Sequence, residues 1–416
     1  MPSKQKIEID SLALLVTMRD YYCSQKFDWL AIRLYDGYVT SCCKAEHDQL
    51  TLADLEKDPQ GFFNWPQLIK ERELMLDNQR VSGCEAACWR FEDLGLSSRR
   101  TQTQHQRYQG TRHLPRVLTI ETSNTCNLTC VYCCKDFSST WRRNIIDNGN
   151  YNVPGYQDRY NVTVTDQALH KSSQKLLDQT KIGKLIQNQI ENNSDQVETL
   201  MLTGGEPLLY TGLESLLNRF TGKEIILYTG LGVPSSRLKH VLPLLEKHNV
   251  KVSISAENTN QHHEFNRYGY SYANFVYNVN MLRQHCKIQF GSVISNVTLF
   301  DFANFALLHA DDDIMINYAH DPGFFLANLI DDHSRREITA KLEDIPQSFA
   351  QDIIAAMHIE TVNDQRPALN NFLRKFAETR NLSLDIFPKN FLTWIEQSPN
   401  NQKIFPIRVN NETTLD

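Results

Sequence analysis

The run Glu121-Thr122-Ser123-Asn124-Thr125-Cys126-Asn127-Leu128-Thr129-Cys130-Val131-Tyr132-Cys133 leaves the end of an apolar stretch, Val117–Glu121, that reads as a β-strand. Its three cysteines are separated by three and by two residues. On a loop leaving a strand they can converge on one iron–sulfur cube, whose normal ligands are thiolates. A cube holds four irons, so three protein ligands leave one metal corner open, the arrangement by which metal sites keep a place for substrate. A zinc knuckle with Cys134 as fourth ligand, or three buried cysteines, is the plainer alternative. A second segment, Leu202-Thr203-Gly204-Gly205-Glu206-Pro207, closes the next predicted strand. Glycines at such a strand end let backbone approach a ligand closely.

Outward from these segments the chain alternates strands and helices. Candidate strands are Val117–Glu121, 197–203, Glu224–Thr229, 250–256, 288–295 and Ile314–Tyr318. Between them helical spacing is marked by Ile182, Leu185, Ile186 and Ile190, by Leu238, Val241, Leu242 and Leu245, and by Phe275, Val276, Val279 and Leu282. Such alternation implies an α/β fold with a parallel sheet and right-handed crossovers. Six units predict a partial (β/α)6 TIM-like barrel, open on one side. Residues 142–163 read as a long loop inserted after the first strand, functional or mobile. Residues 337–358, 367–379 and 387–395 read as C-terminal helices. The domain organisation expected is 1–110 as a small hairpin-containing unit plus linker, 111–334 as the barrel and 335–416 as a helical extension.

The 416 residues carry 43 Lys+Arg against 49 Asp+Glu, a formal charge of −6. That balance speaks against affinity built on phosphate neutralisation, so nucleic acid is not the expected partner. Arg99, Arg100, Arg107, Arg112, Arg142 and Arg143 are the only basic candidates for RNA. Apolar runs are too short for a signal sequence or a membrane span, which predicts a cytoplasmic protein. Ten cysteines, nine of them before residue 135, point in such a compartment to metal or redox chemistry rather than disulfides. His262, His263 and His320 have no ligand spacing and read as surface or barrel-mouth residues.

Cys-x3-Cys-x2-Cys with Tyr132 before the last cysteine, followed in order by the Gly-Gly-Glu-Pro segment, resembles the signature of the radical S-adenosylmethionine (SAM) superfamily. The resemblance implies that Cys126, Cys130 and Cys133 hold a catalytic 4Fe–4S cluster. It implies that Gly204, Gly205, Glu206 and Pro207 receive the methionine amino group of SAM, with Glu206 supplying a carboxylate, and that Tyr132 lies on or near adenine. Ser255 and Glu257 at the end of the fourth strand, Arg267 ten residues on, and Asn296 at the end of the fifth stand where family members contact the ribose and carboxylate. Each of these four is equally a strand-end cap or surface residue. The activity implied is reductive cleavage of SAM to a 5′-deoxyadenosyl radical, which takes a hydrogen atom from a substrate. A flavodoxin- or ferredoxin-type protein would supply the electron.

Cys23, thirteen residues, Gly37, four residues, Cys42 also resembles the hairpin pattern of twitch and SPASM auxiliary-cluster modules. Cys84 and Cys88 would complete the ligands of a second 4Fe–4S cluster. Cys43 neighbours Cys42 and faces the opposite way on a strand, so only one of the two serves; a zinc ribbon is the alternative. Relatives carry this module after the barrel, whereas here it comes first. An auxiliary cluster suits oxidative modification or cross-linking of a peptide. Dehydrogenation of a sugar or nucleoside, RNA modification, and a non-catalytic iron–sulfur module are the other readings. Cys134 and Cys286 are expected to be packed residues.

Overall fold

The computed structural model describes residues 20–42, 48–57, 63–93, 95, 98–102, 115–163, 173–192, 194–360 and 364–397. Cys43, Arg107, Arg112 and the tail after 397 lie outside them. The strands are β1 Trp29–Arg33, β2 Tyr38–Thr40, β3 Asp48–Gln49, β4 Val117–Glu121, β5 Thr129–Cys130, β6 Thr199–Thr203, β7 Glu224–Thr229, β8 Lys251–Ser255, β9 Arg267–Tyr268, β10 Ile288–Ile294 and β11 Ile314–Tyr318. β4, β6, β7, β8, β10 and β11 lie side by side in chain order, every pairing parallel. Helices cross over between them, as a parallel sheet requires. The α/β class and the six parallel strands expected from the sequence are what the chain builds.

The crossover helices bury the stripes their sequences mark. In Ser235–Lys247 the residues Leu238, Val241, Leu242 and Leu245 are all buried against the sheet, each contributing roughly 1.5–3 kcal/mol relative to exposure. In Tyr272–Arg283, Phe275, Val279 and Leu282 are buried while Val276 is exposed, so the apolar stripe is narrower than its sequence suggests. On the sheet β6 alternates buried and half-buried residues, the pattern of a strand with two unlike faces.

The N-terminal hairpin is not set apart from this sheet. β1 pairs parallel with β4 over its whole length, Trp29 opposite Val117 and Arg33 opposite Glu121, and β2 and β3 add antiparallel beyond it. β1 is therefore an interior strand, buried at all five positions, as a strand paired on both sides and covered on both faces is. The same segment of chain reaches the far end of the sheet. The Phe91 ring, just after Cys88, stands 6.1 Å from the ring of Tyr318 on β11. One small module thus touches both ends of the parallel run, as it can when the sheet curves into an open barrel.

Three other expectations are corrected. Residues 142–163 are not one long loop. Ser139–Asn148 and Gln157–Tyr160 are helical, and Tyr151, Val153, Tyr156 and Tyr160 are buried. The span expected as one helix, 337–358, is two, Asp332–Glu343 and Phe349–Met357, with Pro346 in the break, where its ring and missing N–H would disrupt the turn. His263 is a core residue, its ring 4.3 Å from Phe275, and burial lowers its pKa to about 3. The helix Arg366–Glu378 closes the core from the C-terminal side. Its Phe372 and Phe376 meet Trp141 at 6.0 and 5.7 Å, and Phe372 meets Tyr151 and Tyr160 at 5.8 and 5.0 Å. The space between the 142–163 segment and the C-terminal helices is thereby filled with aromatic rings.

Candidate functional site

Ligands of open α/β sheets lie outside the carboxyl ends of the strands, and there the cysteine loop meets the glycine segment. After β4 and β6 part, the backbones stay laced together: Gly205 N donates to Ser123 O (2.7 Å) and Glu206 N to Thr125 O (2.8 Å). The glycines are dictated by this closeness. A Cβ on Gly205 would stand 2.4 Å from Thr125 O, and one on Gly204, at φ +129°, 2.7 Å from Ser123 O. Their first duty is to admit the cysteine loop rather than a ligand. The loop is held elsewhere by Asn127 Nδ2 on Gly232 O (2.5 Å), by Ser138 Oγ on Leu128 O (2.8 Å) and by Trp141 Nε1 on Cys130 O (2.9 Å).

Within this frame Cys126, Cys130 and Cys133 are half-buried thiols outside any disulfide. Leu128 N donates to Cys126 Sγ at 3.4 Å, and the Arg267 guanidinium lies 3.9 Å from Cys130 Sγ. Burial pushes the Cys126 thiol up to about 12, with Cys130 and the Glu206 carboxylate adding to it. Burial likewise raises Cys130, against the pull of Arg267. Cys133 is raised by burial and then by Cys134, Cys130 and Cys126. The three thiols feel one another, so they share one neighbourhood. They are neutral as they stand and would ionise on taking a metal, as thiol ligands do. This donor set fits a thiolate-ligated cluster. Among the described residues no three of His, Cys, Asp and Glu are close enough to hold a single metal ion.

Glu206 is 1% exposed. Its Oε1 accepts from Leu208 N (3.1 Å) and Thr229 Oγ1 (2.8 Å), and its Oε2 from Gly230 N (3.1 Å). Burial pushes its pKa up to about 7, against these donors and Arg267. Oε2, with one donor, keeps room for another. Thr229 and Gly230 were missed by the sequence reading. Gly230-Leu231-Gly232 after β7 was the signal, since a Cβ at either glycine would strike Leu128 at 2.9 or 2.7 Å.

Tyr132, Glu257 and Arg267 form a closed group beside Cys130. Tyr132 donates its hydroxyl to Glu257 Oε1 at 2.9 Å, and Arg267 forks onto both Glu257 oxygens at 3.2 and 2.7 Å. Its guanidinium also lies 5.5 Å from the Tyr132 ring centre. The two charges thus face each other, both nearly fully buried. Ser255 is half-buried at the end of β8. Asn296 is fully buried, with Nδ2 donating to Phe324 O (2.8 Å) and Leu329 O (3.4 Å), so its amide ties down the chain after β11. Pro207 is buried and opens the turn Pro207–Leu209. Cys134 is buried 4.0 Å from both Asp136 Oδ2 and Arg159 Nη2.

Cys23, Cys42, Cys84 and Cys88 are all buried, at 5–8% exposure. Burial pushes Cys84 up to about 12, and Cys88 and Cys23 act on it as neighbours. The wholly buried Lys26 ammonium acts on Cys84 and Cys42, and it is ion-paired to Glu71. Arg100, expected as a basic surface residue, is instead buried against Glu92 and under electrostatic influence of Cys23 and Cys88. Arg143 pairs with Asp147 at 2.8 Å and Arg142 approaches Asp136 at 4.0 Å. A shallow, mostly apolar cleft opens beside this module and the end of β11, lined by Arg90, Phe91, Tyr318, His320, Ala327 and Asn328.

A six-strand parallel sheet thus carries a three-cysteine loop after its first strand and a Gly-Gly-Glu-Pro turn after its second. Residues 120–308 match the family described as the Radical SAM superfamily. The cofactors of that family are SAM and a 4Fe–4S cluster. No curated protein matches the chain. Among solved structures, native anSMEcpe with bound AdoMet and Cp18Cys peptide is 14% identical, with a TM-score of 0.33, over 59% of this chain and 62% of that one. Streptococcus suis SuiB bound to S-adenosylmethionine is 12% identical, with a TM-score of 0.33, over 78% of this chain and 68% of its own. The matched part therefore spans about three-fifths of the anSMEcpe chain. Among the described residues no helix is long and apolar enough to cross a membrane.

Proposed function

We propose that the chain is a radical SAM enzyme that takes a hydrogen atom from a peptide or peptide-like substrate and leaves it oxidatively modified or cross-linked. The observation that supports this reading is the lacing of the cysteine loop to Gly205 and Glu206, which joins the three-cysteine loop to a buried carboxylate with spare acceptor capacity. When bound, the cluster and SAM supply a 5′-deoxyadenosyl radical through one-electron reduction of the sulfonium. Cys126, Cys130 and Cys133 would hold the cluster. Glu206 Oε2 would accept from the methionine ammonium, a cation that would draw the carboxyl proton off a group poised near neutrality. Arg267 pairs with Glu257, which in turn accepts from the Tyr132 hydroxyl and orients that ring beside Cys130, the side on which the nucleoside would lie. Ser255 at the end of β8 is the remaining candidate for the ribose, and Asn296 has only its Oδ1 left for that role.

The substrate class rests on the cleft at the end of β11. Its Phe91, Tyr318 and Ala327 walls suit an amino-acid side chain, with Arg90, His320 and Asn328 on hand for a peptide carbonyl or carboxylate. Cys23, Cys42, Cys84 and Cys88 are proposed to hold a second cluster beside that cleft, and residues 1–110, 111–334 and 335–416 to be its auxiliary, barrel and helical parts. A flavodoxin- or ferredoxin-type donor would feed the first cluster. Anaerobic reconstitution with iron and sulfide counting tests the scheme. We expect about eight irons per chain, since each cube holds four, falling by about half in Cys126→Ala/Cys130→Ala/Cys133→Ala. A wild-type chain that stays colourless, or retains zinc at these cysteines, contradicts it.

A further inference from the structure

Arg380 lies just past the helix Arg366–Glu378, outside the span that matches the family, yet it reaches the back of the cysteine loop. Its Nε donates to Thr129 Oγ1 at 2.9 Å, the residue before Cys130. Its Nη1 donates to the Tyr151 hydroxyl, to Thr379 Oγ1 (2.8 Å) and to Phe376 O (3.2 Å). The guanidinium sits among three rings, 3.8 Å from Phe376, 4.6 Å from Trp141 and 5.6 Å from Tyr268. Trp141 itself bonds the Cys130 carbonyl, and Tyr268 pairs with Thr129 across β5 and β9. Arg380 is thus built into the support of one cysteine.

What distinguishes it is its charge. The residue is 6% exposed, and every oxygen that accepts from it is neutral, while Nη2 is buried with no hydrogen-bond partner. Among the described residues no carboxylate pairs with it. By contrast the buried Arg267 is paired with Glu257 and the buried Arg33 with Glu121, and the half-buried Arg159 is paired with Asp321. A buried cation without a counter-charge is costly. Burial accordingly pushes the Arg380 pKa down, and Tyr151, Tyr268 and the Cys130 thiol are the groups that oppose this. Cys130 directly follows the Thr129 that Arg380 bonds, and a thiol that takes a metal brings negative charge to that place.

Resting on the function proposed above, we propose that Arg380 is a positioning residue that supplies the buried positive counter-charge for the loaded Cys126, Cys130 and Cys133 site. It ties the C-terminal helices to the cluster electrostatically. A nearby cation favours the more negative, reduced state, so its removal makes reduction harder. The aromatic box offers a neutral way to hold the side chain in place, and Arg380→Met keeps most of the packing while deleting the charge.

The test is a redox titration, followed by EPR, of the reconstituted full-length chain, with the SAM-responsive signal assigned to the Cys126–Cys133 site. Arg380→Met is expected to lower the reduced fraction at a fixed potential about tenfold, which for one electron is about 59 mV. Arg380→Lys, which keeps the charge, should recover most of that shift. In the metal-free protein Arg380→Met should leave the melting temperature unchanged or raise it, because the unpaired charge is gone. Equal midpoint potentials in wild type and Arg380→Met overturn the proposal. So does a Met variant that fails to fold or melts lower without metal, since Arg380 would then be a packing brace. A wild-type chain with no SAM-responsive cluster overturns both this inference and the function on which it rests, and that outcome is visible before any variant is made.

Discussion

At the scale of single residues, the buried carboxylate Glu206 makes the site sensitive to pH. Its pKa is raised by burial to about 7 in the folded chain, against about 4.3 for an unperturbed Glu. Between those values the folded state holds a proton that the unfolded state has lost. Its contribution to stability is therefore complete below about pH 4 and disappears as pH rises through about 7. Denaturant unfolding across pH 4 to 8 should show wild type losing stability over that window relative to Glu206→Gln; parallel curves would contradict the assignment. Gly205→Ala should cost about 1–3 kcal/mol by overpacking, since the added carbon meets backbone at Thr125 O, 2.4 Å away. A melting temperature equal to that of wild type would show that the loop can move aside. The cysteine spacings and the Gly-Gly-Glu-Pro segment were legible because their chemistry is local in sequence. The partners of Glu206 on β7, and Arg380, which meets Thr129 from 251 residues away, were not, because only the folded chain brings them there.

At the scale of elements, the helix Ser139–Asn148 transmits order to the cysteine loop. Ser138 accepts from Trp141 N at 3.2 Å as its cap and donates to Leu128 O at 2.8 Å. Ser138→Ala should thus cost about 1 kcal/mol or slightly more, read by urea unfolding, and should also slow cluster loading because Leu128 is released. Normal loading kinetics would separate the cap from the loop. The six parallel strands were legible from apolar runs between helical stripes, with ends shifted by one or two residues. This helix was not, because Asn, Arg and Asp hide an apolar face of only Trp141 and Ile145. The break at Pro346 carried a clear signal that the longer periodic pattern overrode. β1 read as half of an isolated hairpin because whether a strand is interior depends on a partner almost ninety residues on, β4.

At the scale of the whole molecule, the N-terminal module is an integral edge of the sheet and a bridge between its ends. Removing residues 1–110 would bare the side of β4 that now pairs with β1, and an unpaired parallel strand edge invites aggregation. Residues 111–416 alone are expected to be insoluble; a soluble, cooperatively melting fragment would show that the module is dispensable to the fold. Cys84→Ala/Cys88→Ala should lose about four irons, one cube, while the cysteine trio still loads. Loss of both clusters together would mean that the module braces the barrel rather than holding a cluster of its own. The central claim, however, concerns the trio. Anaerobically reconstituted chain, incubated with SAM and a strong chemical reductant, is expected to form 5′-deoxyadenosine and methionine, and Cys126→Ala/Cys130→Ala/Cys133→Ala to form none. A fully loaded wild-type chain that leaves SAM intact, or a triple variant that cleaves it equally well, would contradict the account.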